Sequence, residues 1–217
     1  MELVILAGGQ GKRLRPLTND IPKCLVPVNG QPMLDHHLNW LKQYDISKIV
    51  VACGYKWEKI KDHYGQKLVY SVEDEPMGTG GAIKIALDHI EGDQFIVVNS
   101  DDLNNTNLNE LWKYGANSVV ISHFRSQFGL VETEGHLIKE FKQKPMLPFF
   151  ANIGLYLLNK DLKFPEKGAF ETDLLPQLAA KGDLKAFHHN GYWITINTMK
   201  ELEEAEEVIR GMPNGFK

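Results

Sequence analysis

The stretch LVILAGGQGKRLRPLTNDIPKCLVPV, residues 3–28, decides how the rest of the chain is interpreted. Its first five residues are apolar and in part β-branched, and Gly8 and Gly9 follow them directly. A short apolar run that ends at glycines is typical of a strand with both faces buried. We therefore predict that residues 3–7 form the first central strand of a sheet.

The segment after this strand combines a flexible backbone with positive charge. Three glycines are followed by three cations, and these residues are Gly8, Gly9, Gly11, Lys12, Arg13 and Arg15. Glycine lets backbone N–H groups approach a ligand closely, and the neighbouring cations attract an anion. The pattern predicts a phosphate-binding loop.

Two common phosphate loops do not fit this segment. The Walker pattern requires a glycine at position 6 and a serine or threonine at position 13, but the chain has Leu6 and Arg13 there. A dinucleotide-binding fingerprint requires a third glycine where Leu14 stands, and no acidic residue ends the next apolar run at 52–54. The loop must therefore belong to another class.

A third pattern, GGxGxRLxPLTxxxPKxxxPVxGxP, matches residues 8–32 at every specified position. This pattern resembles the signature of the sugar-1-phosphate nucleotidyltransferases, which make NDP-sugars from an NTP. The resemblance implies a Rossmann-like α/β fold and a nucleotide site formed by Leu6, Ala7, Gly8, Gly9, Gly11, Arg13, Glu73 and Gly78. It also implies catalytic roles for Arg13 and Lys23, which would neutralise the phosphates.

The composition is that of an ordinary globular protein. The chain has 217 residues, of which 43% are hydrophobic and 24% charged, and we expect one domain over residues 1–217. Its net charge of −4 gives no basic excess for a nucleic acid backbone. No apolar run is long enough for a membrane span and no leader pattern is found, so we expect a cytoplasmic protein without membrane or nucleic acid partners.

The rest of the chain alternates predicted strands and helices. Strands are expected at 49–52, 68–72 and 95–98, and helices at 33–44, 57–64 and 81–90. This alternation predicts a doubly wound, mostly parallel sheet. The shorter runs 119–122, 130–132 and 137–141 predict antiparallel pairs and hence a mixed sheet, and the run 152–158 predicts another strand. Helices at 173–180 and 199–210 and a loose polar tail at 211–217 complete the prediction.

Asp101 follows the apolar run 95–98, so it lies where ligands bind in parallel α/β sheets. A carboxylate there could hold Mg²⁺ on a triphosphate, but it could equally cap a helix. The resemblance favours the metal, because the family has a metal-binding Asp at this point. Asp102 is a second candidate.

The stretch EDEPMGTGGAI, residues 73–83, resembles the base-recognition segment of the family, in the form found in mannose and heptose guanylyltransferases. Its glycines are expected to lie against the base. The Glu73 carboxylate can accept hydrogen bonds from guanine N1–H and N2–H₂, which makes GTP the first choice. A solvated charge before a helix is the alternative for Glu73.

The acceptor site is predicted from three shorter matches. The stretch FKQKP, residues 141–145, resembles the family's FxEKP, Asn152 and Gly154 match its NxG, and Gly129 matches its YG step. The implied sugar-phosphate residues are Gly129, Gln143, Lys144 and Asn152. Gln143 replaces the glutamate of the family, which leaves the kind of acceptor open.

The second metal ligand departs from the family pattern. The stretch GYWITINT, residues 191–198, resembles GxWxDxGT, but Thr195 stands where the family has the metal-binding Asp. Asn197 lies two residues on, hence on the same face of a strand, and its amide oxygen can coordinate Mg²⁺. We therefore predict a Mg²⁺ site of Asp101 and Asn197.

The expected reaction transfers a nucleotidyl group from an NTP to a sugar 1-phosphate, with a mannose- or heptose-type acceptor as first choice. Two alternatives stay open. One is a cytidylyltransferase that acts on a small phosphorylated non-sugar acceptor such as phosphocholine or phosphoglutamine, which the departures at Gln143, Thr195 and Asn197 would suit. The other is a non-catalytic nucleotide-sugar-binding subunit.

Overall fold

A computed structural model describes residues 1–212 of the chain. Within them the strands are β1 (Glu2–Leu6), β2 (Pro27–Val28), β3 (Gln31–Pro32), β4 (Lys48–Cys53), β5 (Val69–Val72), β6 (Gln94–Asn99), β7 (Asp102–Asn104), β8 (Ser118–Arg125), β9 (Gly129–Glu134), β10 (Leu137–Gln143), β11 (Met146–Asn159), β12 (Lys185–His188) and β13 (Trp193–Thr195). The α-helices are α1 (Met33–Leu41), α2 (Trp57–Tyr64), α3 (Gly78–Ala86), α4 (Leu108–Tyr114), α5 (Phe170–Asp173), α6 (Leu175–Lys181) and α7 (Met199–Arg210).

Seven of the described strands form one mixed sheet in the order β12-β8-β11-β6-β1-β4-β5. Only β11 runs antiparallel to its neighbours in this sheet, and the other adjacent pairs are parallel. The prediction of a mostly parallel, mixed sheet is confirmed. β9 and β10 pair with each other as a separate antiparallel hairpin.

The chain changes direction across the sheet at β1. After β1 it places β4 and β5 on one side and then returns to place β6 on the other side. The last residue of β1, Leu6, pairs with the last residue of β6, Asn99. Ligands of open α/β sheets bind in the crevice beyond the carboxyl ends of strands where the order reverses. The loops after β1 and β6 therefore meet at this crevice.

Helices cover both faces of the sheet. Along β1, Leu3 and Ile5 pack into a core that also receives α1, α2, α4 and α7, whereas Val4 packs into a second core that receives α3, α5 and α6. A strand buried on both sides has no need for polar residues at alternate positions. This is why its sequence is a continuous apolar run, and it confirms the doubly wound arrangement.

Several observed elements differ from those predicted from the sequence. The helix predicted at 81–90 begins at Gly78, and the helix predicted at 173–180 is divided at Leu174. The short elements α4 and β12 were not predicted, because neither shows enough apolar periodicity for its type to be recognised. α2 and α7 begin and end at the predicted residues. The predicted loose tail lies mostly outside the described residues.

No helix within residues 1–212 has the length and apolar character needed to cross a membrane. Cys24 and Cys53 are both buried free thiols.

His37 on α1 is fully buried below the loop that follows β6. Its Nε2 donates to the carbonyl oxygen of Ser100 at 3.1 Å, and its Nδ1 has no partner among the described residues. Burial is the main cause that lowers the pKa of His37, to about 4. The folded protein therefore holds this imidazole neutral.

His37 should make the fold less stable at acid pH. Because the pKa is about 6.5 in the unfolded chain and about 4 in the folded one, the unfolded state binds more protons between these values. The free energy of unfolding should fall as the pH is lowered through this window, with His37 contributing a loss of about 2 kcal/mol at pH 5. The free energy of unfolding, measured with urea, should lose this part of its pH dependence in His37→Gln. His63→Gln changes an exposed histidine and should keep it. An equal pH dependence in the parent protein and His37→Gln would contradict the assignment.

Candidate active site

A cavity of about 660 Å³ lies at the carboxyl ends of β1 and β6. Its charged lining consists of three cations, Lys12, Arg13 and Lys23, and two carboxylates, Glu73 and Asp101. The remaining lining residues are Leu6, Ala7, Gly8, Gly9, Gln10, Gly11, Pro76, Gly78, Thr79, Ala82, Asn99, Ser100 and Asn197. The structure thus brings every predicted nucleotide-binding and metal-binding residue into one cavity with an excess of positive charge.

The predicted phosphate-binding loop, residues 8–15, which we call the phosphate loop, turns sharply at Gly11. This residue has a left-handed φ of 59°, and a Cβ there would lie 2.9 Å from Thr18 Cγ2. The Thr18 hydroxyl donates to the carbonyl oxygen of Gly11 at 2.8 Å, which holds the turn against the following segment. At Gly9, by contrast, a Cβ would meet nothing within 4 Å. The backbone before the turn therefore faces open space in which an anion can approach it.

Lys23 joins the phosphate loop to two other segments. Its Nζ donates to Asp101 Oδ2 at 2.5 Å and to Asn197 Oδ1 at 2.7 Å, and the lysine residue is only 8% exposed. Arg13 Nη2 donates to the same oxygen of Asn197 at 3.2 Å. Asp101 lies in the turn between β6 and β7 and caps no helix, so the helix-cap alternative is wrong. These four polar side chains form the charged centre of the cavity, which we call the Lys23 cluster.

Asn197 is held in place by its neighbours. Its backbone N–H donates to Glu201 Oε2 at 2.8 Å, and the same oxygen accepts from Thr198 N–H at 2.9 Å in a capping box at the start of α7. Its side-chain Nδ2 donates to Thr195 Oγ1 at 2.9 Å, which turns its Oδ1 toward Lys23. Thr195 is not among the residues that line the cavity. Between the two candidates, Asn197 is the one that reaches the site.

Asp102 lies behind the cavity. Its carboxylate accepts from Trp193 Nε1 at 2.9 Å and from Asn99 Nδ2 at 3.2 Å. Burial, followed by the nearby charge of Asp101, raises the pKa of Asp102 to about 6. A Cβ at position 154 would lie 2.4 Å from Asp102 Oδ2, so Gly154 is required there for packing. The tryptophan and glycine of the sequence motifs thus support the loop that carries Asp101.

Glu73 follows β5 and lies on the cavity wall. Its Oε2 accepts from Met77 N–H at 3.0 Å, and its Oε1 would be 2.6 Å from a Cβ at Gly8. The carboxylate therefore shapes its own loop and lies directly against the phosphate loop. Its contact with the loop backbone and its place in the cavity argue against a merely solvated charge.

The glycines after Glu73 also allow a close packing contact. A Cβ at Gly78 would lie 2.5 Å from the carbonyl oxygen of Gly168, and one at Gly80 would lie 2.4 Å from Pro165 Cγ. Gly80 N–H donates to that Gly168 oxygen at 2.9 Å. These glycines allow the start of α3 to pack against the loop 165–168, which also explains why the helix begins at Gly78.

The four predicted acceptor residues lie outside the lining of the cavity. Gly129 pairs with Gln143 where the hairpin of β9 and β10 begins, and Lys144 follows with a left-handed φ of 46°. Asn152 lies on β11, and its Nδ2 donates to the Tyr156 hydroxyl at 2.6 Å. The structure therefore brings Gly129, Gln143 and Lys144 together and places Asn152 in a separate hydrogen-bond network.

Several residues of this network were not predicted from the sequence. Thr79 lines the cavity, and its hydroxyl donates to Glu171, which is the final acceptor of the chain from Asn152 through Tyr156. Thr79 stands within the glycine-rich stretch, so that match could have indicated it. Glu171 has no such signal, because it precedes a predicted helix like many surface glutamates.

The oxygen atoms of the cavity suit a hard cation that arrives with its ligand. Within residues 1–212, no group of three or more His, Cys, Asp and Glu side chains is placed to hold a metal ion. Asp101 and Asn197 nevertheless direct a carboxylate oxygen and an amide oxygen at the same Lys23 nitrogen. Mg²⁺ commonly uses one or two carboxylates together with substrate phosphates. The two oxygens therefore fit Mg²⁺ as part of a ligand set that substrate phosphates would complete.

Comparison with known proteins agrees with this site. Residues 2–210 match the family model described as nucleotidyl transferase. The chain is 31% identical to a probable glucose-1-phosphate cytidylyltransferase from Bacillus subtilis, over 96% of each chain. It is 32% identical to a D-glycero-alpha-D-manno-heptose 1-phosphate guanylyltransferase from Campylobacter jejuni, over 93% of this chain and 96% of the relative.

The fold is also shared with a solved structure, that of HddC from Yersinia pseudotuberculosis complexed with GMP-PN. Its TM-score is 0.74 at 28% identity, over 95% of this chain and 98% of that one. The signature in residues 8–32, the cavity at the sheet reversal and the match over residues 2–210 agree with one another. The chain therefore belongs to the nucleotidyl transferase family.

Proposed function

We propose that this enzyme transfers a nucleotidyl group from an NTP to a sugar 1-phosphate and releases pyrophosphate. The observation that carries the proposal is the Lys23 cluster, in which cations from the phosphate loop meet Asp101 and Asn197 inside the cavity. Such a cluster can neutralise and position phosphates. The named activities of the relatives support a sugar 1-phosphate rather than a non-sugar acceptor.

The mechanism requires positioning and charge neutralisation. A phosphate oxygen of the acceptor attacks the α-phosphorus of the NTP, the bond from that phosphorus to the bridging oxygen breaks, and pyrophosphate leaves. Residues 8–11 would hold the triphosphate through backbone N–H groups, and Arg13 would neutralise the leaving pyrophosphate. Lys23 would hold the α-phosphate, since its ammonium is already fixed in the cavity. In-line geometry supplies the rest of the rate enhancement.

The acceptor would bind between the cavity and the hairpin of β9 and β10. Gly129 and Gln143 face each other where the hairpin begins. Lys144, which follows Gln143 in the chain, would bind the sugar phosphate. Asn152 would contact the sugar hydroxyls. Gln143 and Asn152 are both neutral amides, which can donate to and accept from hydroxyl groups. This supports a polyhydroxy acceptor such as a mannose- or heptose-type 1-phosphate.

Mg²⁺ would be held by Asp101 and Asn197 and would arrive with the NTP. Bound there, the ion supplies charge neutralisation of the phosphates and helps to orient them. Magnesium dependence, the cytoplasmic location and the single domain over residues 1–217 stay predictions from the sequence.

GTP is the first choice of donor and CTP the second. The Glu73 carboxylate can accept from the two adjacent donors of guanine, and the named guanylyltransferase relative supports this choice. Glu73 Oε2 already accepts from Met77 N–H. To accept from both guanine donors, the carboxylate would use Oε1 and the second lone pair of Oε2. CTP is favoured by the named cytidylyltransferase relative, and the cytosine amino group offers a donor to the same carboxylate.

Substrate profiling tests the proposed function directly. Purified protein with Mg²⁺ is assayed for pyrophosphate release with GTP, CTP, UTP, ATP and dTTP, each against mannose, heptose and glucose 1-phosphates. We expect release only when both substrates are present, and the highest kcat/KM with GTP. Release from CTP with phosphocholine but with no sugar 1-phosphate would contradict the proposal, and so would the absence of release from every pair.

Glu73→Gln should change the preference for the base. The glutamine oxygen can still accept from Met77 N–H, but its amino group cannot accept from guanine. The ratio of kcat/KM for GTP to that for UTP should fall. The fall should correspond to a difference in activation free energy of about 1–3 kcal/mol, the cost of unpaired buried polar groups. Glu75→Gln is the matched control, since Glu75 is exposed on the same segment and pairs with Lys167. An unchanged ratio of GTP to UTP in Glu73→Gln would remove Glu73 from base recognition.

The proposed metal ligands should differ in importance. Asp101→Asn should abolish most activity, because it removes the only carboxylate of the Lys23 cluster. Asn197→Ala should retain more activity but require several-fold more Mg²⁺ for half-maximal pyrophosphate release. Thr195→Ala, which keeps both proposed ligands, should shift the Mg²⁺ curve least. A larger shift in Thr195→Ala than in Asn197→Ala would place the second ligand at Thr195.

A further inference from the structure

Glu171 is the meeting point of two hydrogen-bonded paths from different parts of the active site. Its Oε2 accepts from the Thr79 hydroxyl, and Thr79 lines the cavity. Its Oε1 accepts from the Tyr156 hydroxyl at 3.5 Å, and that hydroxyl accepts from Asn152 Nδ2 at 2.6 Å. One carboxylate therefore connects α3, on the donor side, with β11, which carries a proposed acceptor residue.

Each hydroxyl in this path both donates and accepts a hydrogen bond. Thr79 Oγ1 donates to Glu171 and accepts from Phe170 N–H at 3.3 Å. The Tyr156 hydroxyl donates to Glu171 and accepts from Asn152. Burial raises the pKa of Tyr156, so this hydroxyl remains a donor at neutral pH. A network in which every member has its partners holds its side chains in one arrangement.

The backbone around Glu171 strengthens the connection. Gly168 N–H donates to Met77 O at 2.7 Å, and Gly80 N–H donates to Gly168 O at 2.9 Å. The loop before Glu171 is thus fixed to the residues on both sides of Gly78. Tyr156 is fully buried and packs edge-on against Phe170, with ring centroids 4.9 Å apart. Both ends of the path rest on rigid parts of the fold.

A carboxylate can accept from both hydroxyls at once through separate oxygens. Its two oxygens are both acceptors, whereas a glutamine has one acceptor oxygen and an amino group that can only donate. Within residues 1–212, Glu171 forms no ion pair. A negative charge without an ion-pair partner would repel phosphates in a nearby cavity. The presence of a glutamate at position 171 is therefore better explained by the two hydroxyls that need an acceptor than by its charge.

We propose that Glu171 is a positioning residue which, through Tyr156, holds Asn152 in register with Thr79 and so sets the acceptor relative to the nucleotide. This inference rests on the proposed function. Glu171 would touch neither substrate. Its effect should therefore appear in acceptor binding and not in nucleotide binding or in the chemistry of the Lys23 cluster.

The test compares three variants in steady-state kinetics with the best donor and acceptor of the parent protein. Tyr156→Phe removes only the hydroxyl that links Asn152 to Glu171, and Glu171→Gln removes one of the two acceptors. Each should raise the acceptor KM by about tenfold, the order expected for a hydrogen bond to a charged group. The NTP KM should stay within about twofold, because the cavity lining is intact.

The double variant and a matched control separate positioning from general destabilisation. Because both changes break one path, the acceptor KM of Tyr156→Phe/Glu171→Gln should rise far less than the product of the single effects. Glu166→Gln removes a charge from the same loop, at a site whose side chain is 82% exposed, and should leave both KM values unchanged. A merely structural role would lower the melting temperature and the active fraction without separating the two KM values.

The outcomes distinguish this inference from the proposed function. If the parent protein turns over a sugar 1-phosphate but Glu171→Gln and Tyr156→Phe leave the acceptor KM unchanged, or raise both KM values equally, the positioning role is overturned and the function stands. Effects that multiply in the double variant also overturn it. If the parent protein turns over no sugar 1-phosphate, the proposed function is overturned and this inference with it.

Discussion

The hydrogen bonds of the Lys23 ammonium hold together segments that are far apart in the chain. Asp101 is 78 residues away from Lys23 and Asn197 is 174 residues away, yet both oxygens lie within hydrogen-bond distance of the same nitrogen. Asp101 reaches Lys23 because β1 and β6 are neighbours and their carboxyl ends coincide at Leu6 and Asn99. Asn197 reaches it because β13 pairs with β7, where Thr195 lies opposite Asp102. These two pairings thus create the charged centre on which the proposed chemistry depends.

The residues around this centre act mainly on one another. Trp193 and Asn99 donate to Asp102, Gly154 leaves room for that carboxylate, and Glu201 holds the backbone of Asn197. Motif residues that look like substrate ligands in the sequence can therefore be conformational supports. Their hydrogen bonds keep the two oxygens of the Lys23 cluster directed into the cavity, and such preorganisation is what catalysis by positioning requires.

The proposed donor and acceptor sides of the site are built differently. The donor cavity is lined by loops after buried central strands, so its shape is set by the core of the sheet. The proposed acceptor residues Gly129, Gln143 and Lys144 lie on a two-stranded hairpin that pairs only with itself within residues 1–212. Glu171 and Tyr156 connect the remaining acceptor residue, Asn152, to the donor side. In the proposed site, specificity for the sugar would therefore depend on the connection between the central sheet and the hairpin of β9 and β10.

The sequence by itself determined the buried first strand, the phosphate loop, the bounds of α2 and α7 and the family, because apolar periodicity, glycines and helix caps depend on near neighbours in the chain. Only the tertiary structure decided that Asn197 rather than Thr195 reaches the cavity, that Gly78 and Gly80 pack against the loop 165–168, and that Glu171 receives two hydroxyls. Those outcomes depend on which strands become neighbours. A contact between residues that are 92 positions apart, such as Thr79 and Glu171, leaves no pattern in the sequence around either of them.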